Sequence, residues 1–307
     1  MGIQSVSIIG LGALGVLFGN QLSKTMPVNS LRIIADRLRI TKYEREGVYS
    51  NGERCHYSYF APEEKVVPAD LLIFAVKYDG LAEAMVAARN HVGENTIIMS
   101  LLNGISSEEM IGRAFGQEKV LYTVAQGMDA VKVGNQLTYH HRGKLCFGDG
   151  EQGIISSKVR AVAELFKKTG VPFEIDTDMK KRQWGKFMLN VGDNQTVAVY
   201  KGSYGCIQQE GEARDTMISA MREVIELSKH EGVTLTEEDL AYWLNVLAGL
   251  SPLGKPSMAQ DIEAGRRSEV ELFSGTVIRL CEKHKCPIPP TNTWLYENIK
   301  EIETQFV

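Results

Sequence analysis

The sequence predicts an α/β fold: a doubly wound parallel sheet in the N-terminal part, followed by a C-terminal all-α domain. Three observations carry that expectation. Short apolar runs alternate with helical periodicities through the first 178 residues, the pattern of a parallel sheet covered by crossover helices. A glycine-rich turn links the first run to the first helix. From about Asp178 onward strand signals stop and helical periodicities take over. The expected domains are residues 1–178, for dinucleotide binding, and 179–307, for substrate binding and dimerisation.

Residues 6–10 read as a short buried strand, and Gly10-Leu11-Gly12-Ala13-Leu14-Gly15 follows at once, with a helix over 16–22. That strand–turn–helix setting is what the Rossmann-type dinucleotide fingerprint requires. Gly10 makes the tight turn, Gly12 lets backbone approach a pyrophosphate, and Gly15 allows close helix–strand packing. A second strand over 31–35 ends at Asp36, where an acidic residue accepts the ribose 2′-hydroxyl of NAD and repels the 2′-phosphate of NADP. Arg37 and Arg39 lie just beyond and are able to take that phosphate instead, so these residues leave the cofactor open.

A helix over 37–46 stops at Gly47, and the polar stretch 48–60 reads as antiparallel. Residues 69–76 form a continuous apolar run, hence a buried parallel strand, with Lys77 at its carboxyl end. After a helix over 80–91, a buried strand at 96–102 ends in Asn103-Gly104. A helix at 108–114, a strand at 120–123, a hairpin arm at 137–147, an amphipathic helix at 156–169 and a strand at 171–175 complete the first domain. In such sheets ligands bind beyond the carboxyl ends of the strands, which is where the glycines, Lys77 and Asn103 fall. The second domain reads as helices over 180–199, 210–231, 237–247, 258–284 and 292–304, with stops at Gly232, Gly249 and Pro252.

The stretch Trp184-Gly185-Lys186-Phe187-Met188-Leu189-Asn190-Val191-Gly192-Asp193-Asn194 carries the most chemistry. Lys186, Asn190 and Asn194 stand at i, i+4 and i+8, one polar row on an otherwise apolar helix. An amine among apolar neighbours must be paired, deprotonated or used. Beside two carboxamides it is suited to holding a small oxyacid and protonating its carbonyl. A second cluster holds Ser257 and Glu269, twelve residues apart. In one straight helix that separation is about 18 Å, too far to share a small substrate, unless Pro256 leaves Ser257 in a loop or first turn.

A net charge of −4 gives no electrostatic reason to expect nucleic acid or an anionic membrane as partner. No apolar run is long enough to span a bilayer, and the N-terminus lacks a basic leader. Five cysteines, 55, 146, 206, 281 and 286, with no CxxC, read as reduced thiols in a cytoplasmic protein, and no metal site is expected.

The motifs GLGALG at 10–15, AVK at 75–77, LLNG at 101–104, WGKFMLNVGDN at 184–194 and PSMAQDI with RRSEVELFSG at 256–275 together resemble the ketopantoate reductase (2-dehydropantoate 2-reductase) family. The resemblance runs from Gly10 to about Asn298. It implies reduction of a 2-keto acid, ketopantoate to D-pantoate in pantothenate and coenzyme A biosynthesis, with NADP(H) as cofactor; the long amphipathic helices of the second domain separately suggest a possible homodimer. It assigns Lys186 as the general acid at the ketone oxygen, and Asn190, Asn194 and Ser257 to the substrate. Glu269 would assist binding and catalysis and reach the cofactor. Lys77 and Asn103 would lie at the cofactor, Asn103 touching substrate as well.

The chain departs from the family at two places. Asp36 stands where many members have an arginine for the 2′-phosphate, and Tyr204 or a neighbour stands where some have an asparagine. Asp36 favours the alternative of an NAD(H)-dependent D-2-hydroxyacid dehydrogenase of the mandelate type, and the loss of the asparagine weakens pantoate relative to another 2-hydroxy acid. The remote alternative, from a different class, is a dinucleotide-binding sensor without turnover.

Overall fold

The computed structural model describes residues 2–306. The chain divides into two compact units, one running to Met179 and one beginning at Lys180. In chain order the strands are β1 (Val6–Ile9), β2 (Leu31–Ile34), β3 (Tyr49–Ser50), β4 (Glu53–Arg54), β5 (Ser58–Phe60), β6 (Leu71–Phe74), β7 (Ile97–Ser100), β8 (Val120–Met128), β9 (Val131–Val133), β10 (Gln136–Thr138), β11 (Arg142–Gly148) and β12 (Phe173–Ile175). The first unit's helices are α1 (Ala13–Ser23), α2 (Arg37–Glu46), α3 (Leu81–Ala88), α4 (Ser107–Phe115) and α5 (Ser157–Thr169).

Eight strands form one sheet in the order β12-β11-β8-β7-β6-β1-β2-β5. The chain winds outward from β1 through β2 to β5, then crosses to β6 and winds the other way through β7 and β8, so the switch point lies between β1 and β6. Strand alternation sends Ile8, Ile33, Ile73 and Met99 into one apolar cluster with Val16, Leu22 and Phe166. Ile9, Ile34, Leu72, Phe74 and Ile98 enter another with Leu81, Ala84 and Ile111. Both faces of the sheet are therefore covered, which is why its central strands are apolar throughout.

Several expectations need correction. The sheet is mixed: β11 runs antiparallel to β8 and pairs parallel with β12. No crossover helix separates β8 from β11, and a direct return of this kind gives antiparallel neighbours. The stretch 48–60 is antiparallel only in its first half, where β3 pairs with β4; β5 joins the edge of the main sheet parallel to β2. Residues 137–147 are not one arm. The Asp129 carboxylate accepts from the backbone N–H groups of His140 at 2.8 Å and His141 at 2.7 Å. That bend leaves β10 in a four-stranded sheet, β4-β3-β10-β9, and sends β11 to the main one.

In the second unit the helices are α6 (Met179–Val199), α7 (Tyr204–Gln208), α8 (Glu212–His230), α9 (Glu237–Ala248), α10 (Ser257–Glu263), α11 (Ser274–His284) and α12 (Pro290–Glu303). Residues 183–198 of α6 are buried at every position except Lys186. Two helix-interior glycines permit this. A Cβ at Gly185 would strike the Trp243 indole of α9, and one at Gly192 would stand 2.6 Å from Met221 of α8. The span 258–284 is not a single helix. It stops after Glu263, turns through Gly265 at φ +63° and resumes only at Ser274. Arg266 closes the break, donating its backbone N–H to the Asp261 carbonyl and its Nε to Asp261 Oδ1 at 2.9 Å. Among the described residues no helix is long and apolar enough to cross a membrane.

Candidate functional site

In the first unit, four adjacent parallel strands end in residues expected at a cofactor. Gly10 follows β1, Asp36 follows β2, Lys77 lies three residues past β6, and Asn103 three past β7. The glycines have separable causes. Gly10 sits at φ +99°, and a Cβ there would lie 2.6 Å from the Ala75 carbonyl oxygen. A Cβ at Gly15 would collide with the Gly10 carbonyl. Both are required by packing within the protein. Gly12 is not: its φ is −69°, ordinary for any residue, and the nearest atom to its Cβ would be 3.4 Å away. Gly12 is also the N-cap of α1 and provides no side-chain cap for the helix's first N–H groups. Leu11 is buried, whereas Ala13 and Leu14 are partly exposed at the helix start. A side chain at Gly12 would stand in the open space before the helix's first N–H groups, the place where a helix start can receive an anion such as a phosphate.

Asp36 caps α2, its Oδ1 accepting from the Arg39 N–H at 2.8 Å and its Oδ2 meeting Arg39 Nε at 3.3 Å. Arg37 is held by Glu63 at 2.7 Å and Glu64 at 3.6 Å. Glu63 and Glu64 follow β5 and reach Arg37 because β5 pairs with β2. The end of β2 thus carries three carboxylates and two guanidiniums. Nothing in the sequence signalled that arrangement, since the partners are 26 and 27 residues apart.

In the second unit α6 presents Lys186, Asn190 and Asn194 on one face, Lys186 half-buried and both asparagines buried. Asn194 Oδ1 accepts from Ser257 Oγ at 3.1 Å and from the Met258 N–H at 3.2 Å. Ser257, the exposed first residue of α10, is therefore joined to the lysine-bearing helix across 63 positions of sequence. Tyr204 reaches the same region: its backbone N–H donates to the Gly254 carbonyl, and its ring lies against Gly254 in the loop leading to Ser257. Burial and the Asp193 charge push the Tyr204 phenol well above its ordinary range.

Glu269 opens the turn before α11, its carbonyl accepting from the N–H groups of Leu272 and Phe273. That turn is tethered to α6 through Gln195, whose Oε1 accepts from the Ser274 N–H at 3.1 Å. The 18 Å objection falls away because Ser257 and Glu269 do not share a helix.

One residue of the face was missed. Asp193 is buried, and its Oδ1 accepts from Asn194 Nδ2 at 2.8 Å. Burial pushes its carboxyl up to about 7, against the opposing pull of Asn194 and Lys186. The signal was available: seven residues past Lys186, it returns to the same side of the helix.

Models of the family match the chain almost end to end. Residues 6–152 match the ketopantoate reductase PanE/ApbA domain, and residues 178–303 match the ketopantoate reductase PanE/ApbA C-terminal domain. The chain belongs to the ketopantoate reductase family. Among its relatives, the 2-dehydropantoate 2-reductase of Aquifex aeolicus is 23% identical over 306 residues, covering 98% of this chain and 97% of the relative. A PanE/ApbA family ketopantoate reductase from Ralstonia eutropha is 25% identical with a TM-score of 0.84, covering 98% of this chain and 99% of that one. A D-mandelate dehydrogenase solved with NADH and anilino(oxo)acetate shares the fold at a TM-score of 0.85 and 19% identity, with 98% and 99% covered.

Proposed function

We propose that the protein reduces a 2-keto acid with a reduced nicotinamide dinucleotide, with ketopantoate the favoured substrate. The observation that supports it best is the Asn194 carboxamide, which joins Ser257 to the helix that carries Lys186. In this reading the Gly10–Gly15 turn and the N-terminus of α1 take the pyrophosphate, while Lys77 and Asn103 lie against the rest of the dinucleotide. The cofactor supplies the hydride. Lys186 gives its proton to the ketone oxygen as negative charge grows there, general acid catalysis worth roughly 10²–10⁴-fold. Asn190, Asn194 and Ser257 orient the acid, and Glu269 assists in binding. The same ammonium stabilises the developing oxyanion before the proton is transferred.

Of the two cofactors, NADH is favoured. An NADPH 2′-phosphate would add negative charge where Asp36, Glu63 and Glu64 already stand and where Arg37 and Arg39 already have carboxylate partners. That charge pattern also supports a second reading, a D-2-hydroxyacid dehydrogenase of the mandelate type, and Tyr204 or a neighbour in place of a family asparagine weakens pantoate relative to another 2-hydroxy acid. A steady-state comparison of ketopantoate and phenylglyoxylate, each with NADH and NADPH, tests both. Ketopantoate with NADH is expected to give the highest kcat/KM. Phenylglyoxylate ahead by tenfold would establish the second reading, and no turnover of any 2-keto acid in a broad panel would refute both.

A further inference from the structure

Asp193 is the buried carboxylate of the α6 face, and its place there is specific. Seven residues bring it within about 20° of Lys186 around the helix. Its Oδ1 accepts from Asn194 Nδ2 at 2.8 Å, while Asn194 Oδ1 accepts from Ser257 Oγ and the Met258 N–H. The two ends agree. A carboxylate only accepts and a backbone N–H only donates, so the Asn194 carboxamide has one satisfied orientation. A continuous chain of hydrogen bonds thus runs from Asp193 through Asn194 to the first turn of α10. On the α8 side Gly192 packs against Met217 and Met221, which bring no charge. Lys186 on its own helix and Tyr204 on α7 interact electrostatically with Asp193, and the α10 groups bonded to Asn194, Ser257 and Met258, are neutral.

We propose that Asp193 is a positioning residue for the reduction: it locks Asn194 so that Ser257 is held at the substrate, and its negative charge keeps Lys186 in the ammonium form. This rests on the reading of Lys186 as the general acid. Burial brings the carboxyl up to about 7, so it is ionised throughout the alkaline range in which a lysine titrates. Removing it takes away a negative charge on the same helix face, about 10 Å along the axis for seven residues, which lowers the lysine's titration midpoint.

The test uses Asp193→Asn, Asp193→Ala and Lys186→Ala in the intact protein. The ε-position NMR signals of isotope-labelled lysine are followed with pH, the Lys186 signal being the one lost in Lys186→Ala. Its midpoint is expected to fall by about one unit in both Asp193 variants. The basic limb of kcat/KM for ketopantoate with NADH should move down with it. Asparagine keeps an acceptor for Asn194 and alanine does not. KM should therefore stay within about threefold in Asp193→Asn and rise about tenfold in Asp193→Ala, an increment of one hydrogen-bonded orientation. An unmoved Lys186 midpoint in Asp193→Asn, or a normal KM in Asp193→Ala, would overturn the proposal while leaving the acid assignment standing. Near-normal turnover in Lys186→Ala would overturn the acid assignment, and the proposal with it.

Discussion

Lys186 stands half-buried on a helix whose neighbouring positions are buried, and the residues sharing its face are amides, a carboxylate and, from α10, a hydroxyl. With Lys186 as the proposed general acid, its replacement by alanine is expected to lower kcat by at least about 10²-fold with cofactor affinity nearly intact, because the proton would go to the substrate oxygen. Comparing kcat with the dinucleotide Kd from fluorescence titration checks this, and a matched loss of both would point to cofactor binding instead. Asp193 gives a second prediction, on stability. Its carboxyl is raised from 3.8 to about 7 in the folded protein. A raised folded value means that its contribution to stability is fully present below about pH 4 and lost as pH rises through about 7. Asparagine mimics the protonated form. Asp193→Asn should therefore melt close to the parent at pH 3.5 and at least about 3 °C higher at pH 8.5. Equal differences in Tm at the two pH values would show that the ionised carboxylate carries no burial penalty.

At the scale of elements, the polar row on α6 was legible because three residues at i, i+4 and i+8 need only helical geometry to meet. The partnership of Asn194 with Ser257 was not, since it depends on where α10 begins, and periodicity carried straight across the break at 264–273. Gly265 gave a weak cue there, because a glycine inside a helical pattern is tolerated as often as it terminates one. β5 was misread for a similar reason: three residues hold too little alternation to reveal whether they pair with β4 or with β2. The glycine turn after β1 was readable as a motif, but the separate duties of its glycines emerge only from contacts. They yield a paired prediction. Gly15→Ala should destabilise the first unit severely, since its Cβ would collide with the Gly10 carbonyl. Gly12→Ala should fold normally, with φ −69° and no close neighbour, yet bind dinucleotide at least about tenfold more weakly, or ~1.4 kcal/mol. Circular dichroism with cofactor titration separates the two, and unchanged affinity in a folded Gly12→Ala would refute the pyrophosphate reading.

In the proposed reading cofactor choice belongs to the molecule as a whole, because the charges assigned to it come from the end of β2 and from the loop after β5. Sequence alone offered Asp36 against Arg37 and Arg39, a contest with no visible winner. The fold adds Glu63 and Glu64 to one side by pairing β5 with β2. All these groups are substantially exposed, so each ion pair is individually worth little and is screened by salt; the count of charges matters more than any one bond. Asp36 also caps α2, so Asp36→Ala would mix a lost cap of about 1 kcal/mol with the lost charge. Asp36→Ser keeps a capping hydroxyl and removes only the charge. That variant should raise kcat/KM for NADPH about tenfold while changing NADH by less than threefold. Glu63→Gln combined with Glu64→Gln, which releases Arg37, should shift preference in the same direction. If instead the parent prefers NADPH by tenfold or more, a phosphate displaces Glu63 from Arg37. Arg37→Ala would then lose NADPH selectively, and Asp36→Ser would do little.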